Sequence, residues 1–130
     1  MLGIDGCLNR IMEIPGARSV TLVDGASGLA VAAAGHRDRL DQHEDAAATT
    51  EAVRSVLACP AFGTGRAGDD ITEIIVRGTR GFHLLTLFGQ TFDGQLFLHL
   101  SVDHDKGNLA LARIHVQRLI EEMGVTGDER

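Results

Sequence analysis

The sequence predicts an α/β fold of the α+β kind, in which three helices cover both faces of a five-stranded antiparallel sheet. Apolar residues recur at helical spacing near both ends of the chain, and five short strand-like runs with turn-rich separators lie between them. In one run, Phe82, Leu84 and Phe88 alternate with Leu85 and Leu87, so both faces of that strand are apolar. Because neither face can be left in water without cost, we expect one helix on one side of the sheet and two on the other.

The N-terminal half of the chain predicts a helix, a hairpin and a second helix. The first helical face carries Ile4, Cys7, Leu8, Ile11 and Met12, and Pro15-Gly16 follows as a stop. The runs Ala17 to Val23 and Leu29 to Ala34 are separated by the turn sequence 24–28, which predicts a β-hairpin. After the charged segment Gly35 to Asp45, the Ala-rich sequence 46–57 predicts the second helix, whose first residue the pattern does not fix.

The C-terminal half predicts three strands and a last helix. The strand-like runs, which follow a loop at 60–70, are Ile71 to Arg77, Phe82 to Phe88 and Leu96 to Val102. Their short, turn-rich separators predict an antiparallel meander. The final helical stripe comprises Leu109, Ala112, Val116, Leu119, Ile120 and Met123, with Asn108 as N-cap and Gly124 as C-terminal stop. The predicted order is α-β-β-α-β-β-β-α, in a single domain of residues 1–124 with a short tail at 125–130.

Composition argues against several classes of partner. A net charge of −6 and five Phe without Trp or Tyr disfavour nucleic acid, which is bound through cationic and aromatic side chains. The longest apolar run falls short of the roughly 20 residues of a membrane span, so we expect no membrane insertion. The first residues lack the features of an export signal, and we expect a cytoplasmic protein. Cys7 and Cys59 form no Cys-x-x-Cys pair and are interpreted as free, buried thiols.

Motifs for nucleotide or metal chemistry are weak. Gly63 to Gly68 matches G-x-G-x-x-G, but it precedes a strand, whereas the dinucleotide motif opens a helix. Asp103 to Asn108 only faintly resembles a calcium loop, because the required glycine and terminal glutamate are missing. Two histidine pairs, His83 with His99 and His36 with His43, could meet in space, but neither brings a third metal ligand at a recognised spacing.

No pattern in the sequence indicates an enzyme. A phosphate-binding loop and a G-x-S-x-G elbow are both absent, and neither cysteine has an obvious catalytic histidine partner. We therefore expect no catalytic residue, no cofactor and no bound metal.

Several segments in order resemble the Roadblock/dynein-light-chain family: Ile14 to Val20, Val23 to Ala30, Ile74 to Val76, Leu84 to Leu87 and Gly107 to Arg113. Together with the opening amphipathic helix and the Ala-rich second helix, these segments cover nearly the whole chain. The resemblance implies a profilin- or longin-like fold without a universal catalytic residue. It also implies a homodimer in which the second helices pack side by side and the third strands extend one sheet across the two-fold axis. Such dimers serve as platforms for small Ras-like GTPases, which bacterial relatives activate or scaffold, some of them beside a sensor kinase.

Specific residues follow from this interpretation. The predicted dimer interface consists of Ala47, Thr50, Val53, Arg54 and Leu57 on the second helix and of Ile74 and Val76 on an exposed third strand. An aspartate at Val53 is expected to dissociate the dimer by burying an unpaired charge. Glu44 and Glu51 are candidates for steering a basic partner, with the equal alternative that they only solvate the helix and stabilise its N-terminal end.

Two functions therefore remain open. The expected one is a non-catalytic homodimeric module that binds and regulates a Ras-like GTPase in bacterial signalling. The alternative is a small-molecule-sensing domain of the profilin or PAS kind, which would need a cavity lined by convergent polar groups.

Overall fold

The described residues form three α-helices and five β-strands, which follow one another in the predicted order α-β-β-α-β-β-β-α. The computed structural model describes residues 3–35, 39–62, 71–90 and 95–123. The elements are α1 (Ile4–Ile11), β1 (Ala17–Asp24), β2 (Leu29–Ala34), α2 (Arg39–Leu57), a 3₁₀ turn (Pro60–Phe62), β3 (Glu73–Arg77), β4 (Gly81–Gln90), β5 (Gln95–Asp103) and α3 (Leu109–Met123). The predicted stop Gly124, the tail, the glycine motif 63–68 and His36 lie outside the described residues.

The strands form one antiparallel sheet in the order β2-β1-β5-β4-β3. The hairpin β1–β2 and the meander β3–β4–β5 are joined through the pairing of β1 with β5, in which Leu22 lies opposite Leu98. The third strand is an edge of the sheet, as predicted, and β2 is the other edge.

Each face of the sheet carries its own hydrophobic cluster. On one face, α1 and α3 pack against Val20, Leu84 and Leu100, together with Leu22 and Leu98. On the other face, α2 packs through Ala46 and Val53 against Val23, Leu85, Leu87 and Phe97. The prediction of one helix on one side and two on the other is thus confirmed, and each fully buried large side chain contributes roughly 1.5–3 kcal/mol.

Helix α2 is longer than the Ala-rich stretch that predicted it. It begins at Arg39, so most of the charged segment before Ala46 is helical. Asp41, His43, Glu44 and Asp45 are solvent-exposed on this part of the helix, and Asp41 lies in the first turn, where an acidic side chain interacts favourably with the helix dipole. Charged residues on an exposed helical face leave no apolar periodicity, which is why the pattern missed this first part.

Two local predictions are confirmed at α3 and α1. Asn108 caps α3, because its Oδ1 accepts a hydrogen bond from the Leu111 N–H at 3.0 Å. Cys7 is a fully buried free thiol of the α1 face, whereas Cys59 is free but only half-buried. Burial raises the pKa of the Cys7 thiol, and the Glu122 carboxylate raises it further. No helix in the described part of the chain is long and apolar enough to cross a membrane.

Candidate interaction surface

The inner face of α2 is occupied within the protomer. Thr50 and Val53 are only 2% and 4% exposed. The Thr50 hydroxyl donates to the Ala46 carbonyl oxygen at 2.7 Å, and Val53 belongs to the cluster beneath the helix. These two residues, predicted at the dimer interface, are therefore core residues of the single chain, and an aspartate at Val53 would disrupt the protomer itself. Leu57 is half-buried against the same cluster.

Arg54 connects α2 to the β1–β2 turn. Its Nη2 donates to the carbonyl oxygens of Ala26 at 2.7 Å and Gly25 at 3.3 Å, and its Nη1 lies 3.1 Å from Glu51 Oε2. The predicted interface residue Arg54 thus has contacts within its own chain, and the predicted steering residue Glu51 forms an exposed ion pair. An exposed pair of this kind contributes little to stability, so Glu51 remains accessible to a partner.

The outer face of α2 carries several small residues. Ala47, Ala48, Ala52 and Ser55 are exposed on it, and Glu44 is exposed one turn before Ala48. Small side chains allow two helices to approach closely, since the distance between helix axes depends on the side chains at the contact. Of the predicted interface residues on α2, only Ala47 lies on this free face without a described role inside the protomer.

The β3 edge exposes branched apolar side chains. Ile74 packs partly against the α2-side cluster, whereas Val76 is 52% and Ile75 41% exposed. Among the described strands β3 pairs only with β4, so the outer backbone N–H and C=O groups of β3 form an open row. Such an edge can accept a further strand. The sequence identified Ile74 and Val76 and missed Ile75, which faces the α3 side.

Helix α3 lies beside this edge. Arg113 binds the carboxylate of Glu73 with both Nε and Nη2, at distances between 2.8 and 3.0 Å, and this hydrogen bonding raises the pKa of the Arg113 guanidinium. Next to the pair, Ile114 is 53% exposed on α3. The exposed apolar surface therefore continues from the edge strand onto α3. The sequence pattern predicted only the buried face of α3 and did not indicate this exposed residue.

Two clusters of described side chains contain potential metal ligands. His83 Nδ1 lies 2.9 Å from His99 Nε2, which confirms that this cross-strand pair meets. The side chains of Asp103, His104 and Asp105 have ligand atoms within 4.8 Å of one another. However, Asp103 Oδ1 already accepts the Asp105 N–H at 2.8 Å, and the Gly107 N–H donates to the Asp103 carbonyl oxygen, as in the turn expected before α3. The absence of a bound metal stays a prediction.

Comparison with known proteins gives a clear result for structure only. No family model and no curated protein sequence match this chain. The solved structure of MglB from Myxococcus xanthus aligns with a TM-score of 0.73 at 19% identity, covering 90% of this chain and 88% of that one. A Roadblock/LC7 domain from Streptomyces avermitilis aligns with a TM-score of 0.73 at 15% identity, covering 93% of this chain and 94% of that one. The chain has the Roadblock/LC7 fold.

A gliding protein MglB from Thermus thermophilus shares this Roadblock/LC7 fold with a TM-score of 0.72 at 18% identity, over 95% of this chain and 90% of that one. Another MglB was solved in a tetrameric arrangement. The alignments span almost the full length of both chains, so the fold is shared over nearly the whole of this chain.

Proposed function

We propose that this protein is a non-catalytic homodimer that binds and regulates a small Ras-like GTPase in a bacterial signalling system. The observation that carries the proposal is the Roadblock/LC7 fold shared with MglB over nine-tenths of the chain. The segments that resemble the Roadblock family, met in order along the sequence, support the same function. The proposal includes no cofactor, and it places the protein in the cytoplasm.

The dimer would form through the β3 edge and the outer face of α2. Two β3 strands would pair across a two-fold axis and cover Val76 and Ile75, while the small residues around Ala48 allow the two α2 helices to meet. A two-fold interface uses the same surface of both copies. An open edge strand and a helix face with small residues can each pair with their own copy in this way. Thr50 and Val53 take no part in this interface.

The β3 edge can be tested with a pair of matched variants. Val76 on β3 and Val31 on β2 are 52% and 51% exposed, and each lies on an edge strand of the sheet. Val76→Lys is expected to convert the dimer to monomer in light scattering at micromolar concentration, because it places a charge in the interface. Val31→Lys should remain dimeric. A monomeric wild-type protein, or equal effects of both variants, would contradict the proposed dimer.

Regulation requires a difference in affinity between the nucleotide states of the GTPase, since a ligand shifts an equilibrium only by that difference. The purified Ras-like GTPase of the same organism, loaded with GDP or with a non-hydrolysable GTP analogue, is titrated against the wild-type dimer by interferometry. Binding to one state at least tenfold more tightly supports regulation. Equal affinity would reduce the function to scaffolding, and no binding to either state would refute the proposal.

Acidic residues near the start of α2 are proposed to steer the GTPase. Glu44 and Glu51 are both exposed, and charges at the rim of an interface act mainly on the association rate. Glu44→Lys should lower the association rate and flatten its dependence on salt. Glu13→Lys, an exposed reversal at the end of α1, is the matched control. If both variants change the rate equally, only net charge matters; if neither changes it, Glu44 serves the helix alone.

A further inference from the structure

A basic pocket of about 310 Å³ lies at one end of the sheet, where β1, β5 and the β3–β4 turn meet. Its walls include Arg18, Arg80, His83, Ser101 and, on the β3 side, Val76. The core cluster beneath α2 lies at the other end of the strands, around Phe97. None of the described residues that line the pocket lies on α2, and the pocket shares only Val76 with the proposed dimer interface.

A β-bulge and a glycine turn build this pocket. Ala17 pairs with Val102 and Ser19 with Ser101, so Arg18 is an extra residue in β1 opposite β5. Bulges redirect a side chain out of the regular alternation, and here Arg18 Nη2 reaches to 3.5 Å from the Arg80 carbonyl oxygen.

On the opposite wall, Gly81 has a φ of +153°, and a Cβ at this position would collide with the Val102 carbonyl oxygen. Glycine thus allows the β3–β4 turn to approach β5 closely. This close approach brings Arg80 to the same concavity as Arg18.

The two guanidinium groups of the pocket lack acidic partners in the described part of the chain. None of the ion pairs between described residues involves Arg18 or Arg80. The carboxylates that follow β5, Asp103 and Asp105, lie 3.7 and 3.0 Å from His104. In a protein with a net charge of −6, two arginines that have no acidic partner among the described residues give this concavity a local excess of positive charge.

Further hydrogen-bond donors face the same pocket. His83 uses Nδ1 in its contact with His99 and keeps Nε2 for another partner. Ser101 adds a hydroxyl group beside His83, its cross-strand neighbour. The two guanidinium groups and the Ser101 hydroxyl offer more donors than the two oxygens of a carboxylate can accept, and they suit a tetrahedral oxyanion. The free ring nitrogen of His83 donates or accepts according to its tautomer.

We propose that this pocket binds a phosphate group, carried by a small phosphorylated molecule. The volume exceeds that of the phosphate alone and leaves room for an attached organic group. Arg18 lies on β1, three strands away from the β3 edge, so a second copy paired with β3 would border the pocket without covering Arg18. The inference does not rest on the proposed GTPase, and it gives the small-molecule-sensing alternative a specific ligand class.

The test is a titration of the ¹⁵N-labelled full chain, followed by NMR at constant ionic strength and pH. Inorganic phosphate and methyl phosphate are the probes, and sodium chloride is the blank. We expect both probes to cause saturable chemical-shift changes at the Gly81 and Ser101 amides. Methyl phosphate should bind with an affinity at least as high as that of inorganic phosphate. Tighter binding of inorganic phosphate would overturn the organic part of the proposal, and no saturable shift with either probe would overturn all of it.

Charge-matched variants separate a built site from general attraction. Arg18→Gln and Arg80→Gln should each weaken binding at least tenfold, because each removes a charge-assisted fork. Arg118→Gln removes the same charge from an exposed position of α3 on the opposite face of the sheet and should change the affinity less than twofold. Equal weakening by all three variants would overturn the site. The amide spectrum of each variant reports whether its fold is retained. Arg80→Lys keeps the positive charge but loses the paired N–H donors of the guanidinium, so it should bind phosphate with intermediate affinity.

Discussion

Replacing Val53 by alanine tests whether the inner face of α2 belongs to the protomer core or to a dimer interface. Val53 is 4% exposed and packs in the cluster between α2 and the sheet. The substitution removes two methyl groups, which at ~0.8 kcal/mol each plus a cavity term lowers the free energy of unfolding by about 2 kcal/mol. That loss is substantial, because domains of this size have total stabilities of only about 5–15 kcal/mol.

The matched variant is Val76→Ala on the β3 edge. The same two methyl groups are removed there from a side chain that is 52% exposed. The protomer should therefore lose less than ~1 kcal/mol, while the dimer should dissociate more readily. The two variants differ in location and not in chemistry.

Urea unfolding followed by circular dichroism measures the first effect, and light scattering over a dilution series measures the second. With a urea slope of about 2 kcal/mol/M, Val53→Ala should lower the unfolding midpoint by about 1 M. Both measurements are made at several protein concentrations, because dimerisation itself adds to apparent stability. If Val53→Ala left the midpoint unchanged and weakened only the dimer, the inner face of α2 would be the interface, and our assignment of Val53 to the core would be wrong.

Three further predictions concern local features of the fold. Gly81→Ala should lower the melting temperature by about 5 °C or more through backbone strain and the collision with β5. Gly78→Ala, in the same turn, should have little effect, because a Cβ there would make only an ordinary contact of 3.9 Å with the Gly81 carbonyl oxygen. Asn108→Ala should cost about 1 kcal/mol through loss of the α3 cap, and Asn108→Asp should restore it; equal melting of both variants would contradict the cap. Burial raises the pKa of Cys7, so its thiol favours the folded state below the ordinary thiol pKa and loses this contribution as the pH rises toward the raised value. Cys7→Ala should therefore flatten the alkaline decline in the free energy of unfolding.

The strands and the two terminal helices could be predicted from sequence because their physical signals are strong. Runs of β-branched and other apolar residues between turns predicted the strands. The apolar helical stripes that begin at Ile4 and Leu109 predicted α1 and α3. The strands and these two helices depend on local periodicity and on short connections, both of which can be read in the sequence. The edge position of β3, in contrast, is expected from the resemblance to the Roadblock family.

The faces of α2 could not be assigned in the same way. Ala46 is buried and Ala47 is exposed, yet both have the same side chain, so composition gives no preference between them. The observed inner stripe is Ala46, Thr50, Val53 and Leu57, one position away from the predicted start at Ala47. Periodicity also cannot distinguish an apolar stripe that meets its own sheet from one that meets a second copy, because both require the same burial.

The basic pocket depends on information that lies in strand register and not in periodicity. Arg18 and Arg80 come together only because β1 carries one extra residue opposite β5 and because Gly81 lets the β3–β4 turn approach that strand. Arg18 lies in the segment Ile14 to Val20 that resembles the Roadblock family, and Arg80 lies in none of those segments. No phosphate-binding motif includes either residue, so both would be interpreted from sequence as ordinary solvated charges. Since none of the described residues that line the pocket lies on α2, a substitution at Arg18 should leave GTPase binding intact, and Glu44→Lys should leave phosphate binding intact. The two proposals can therefore fail independently.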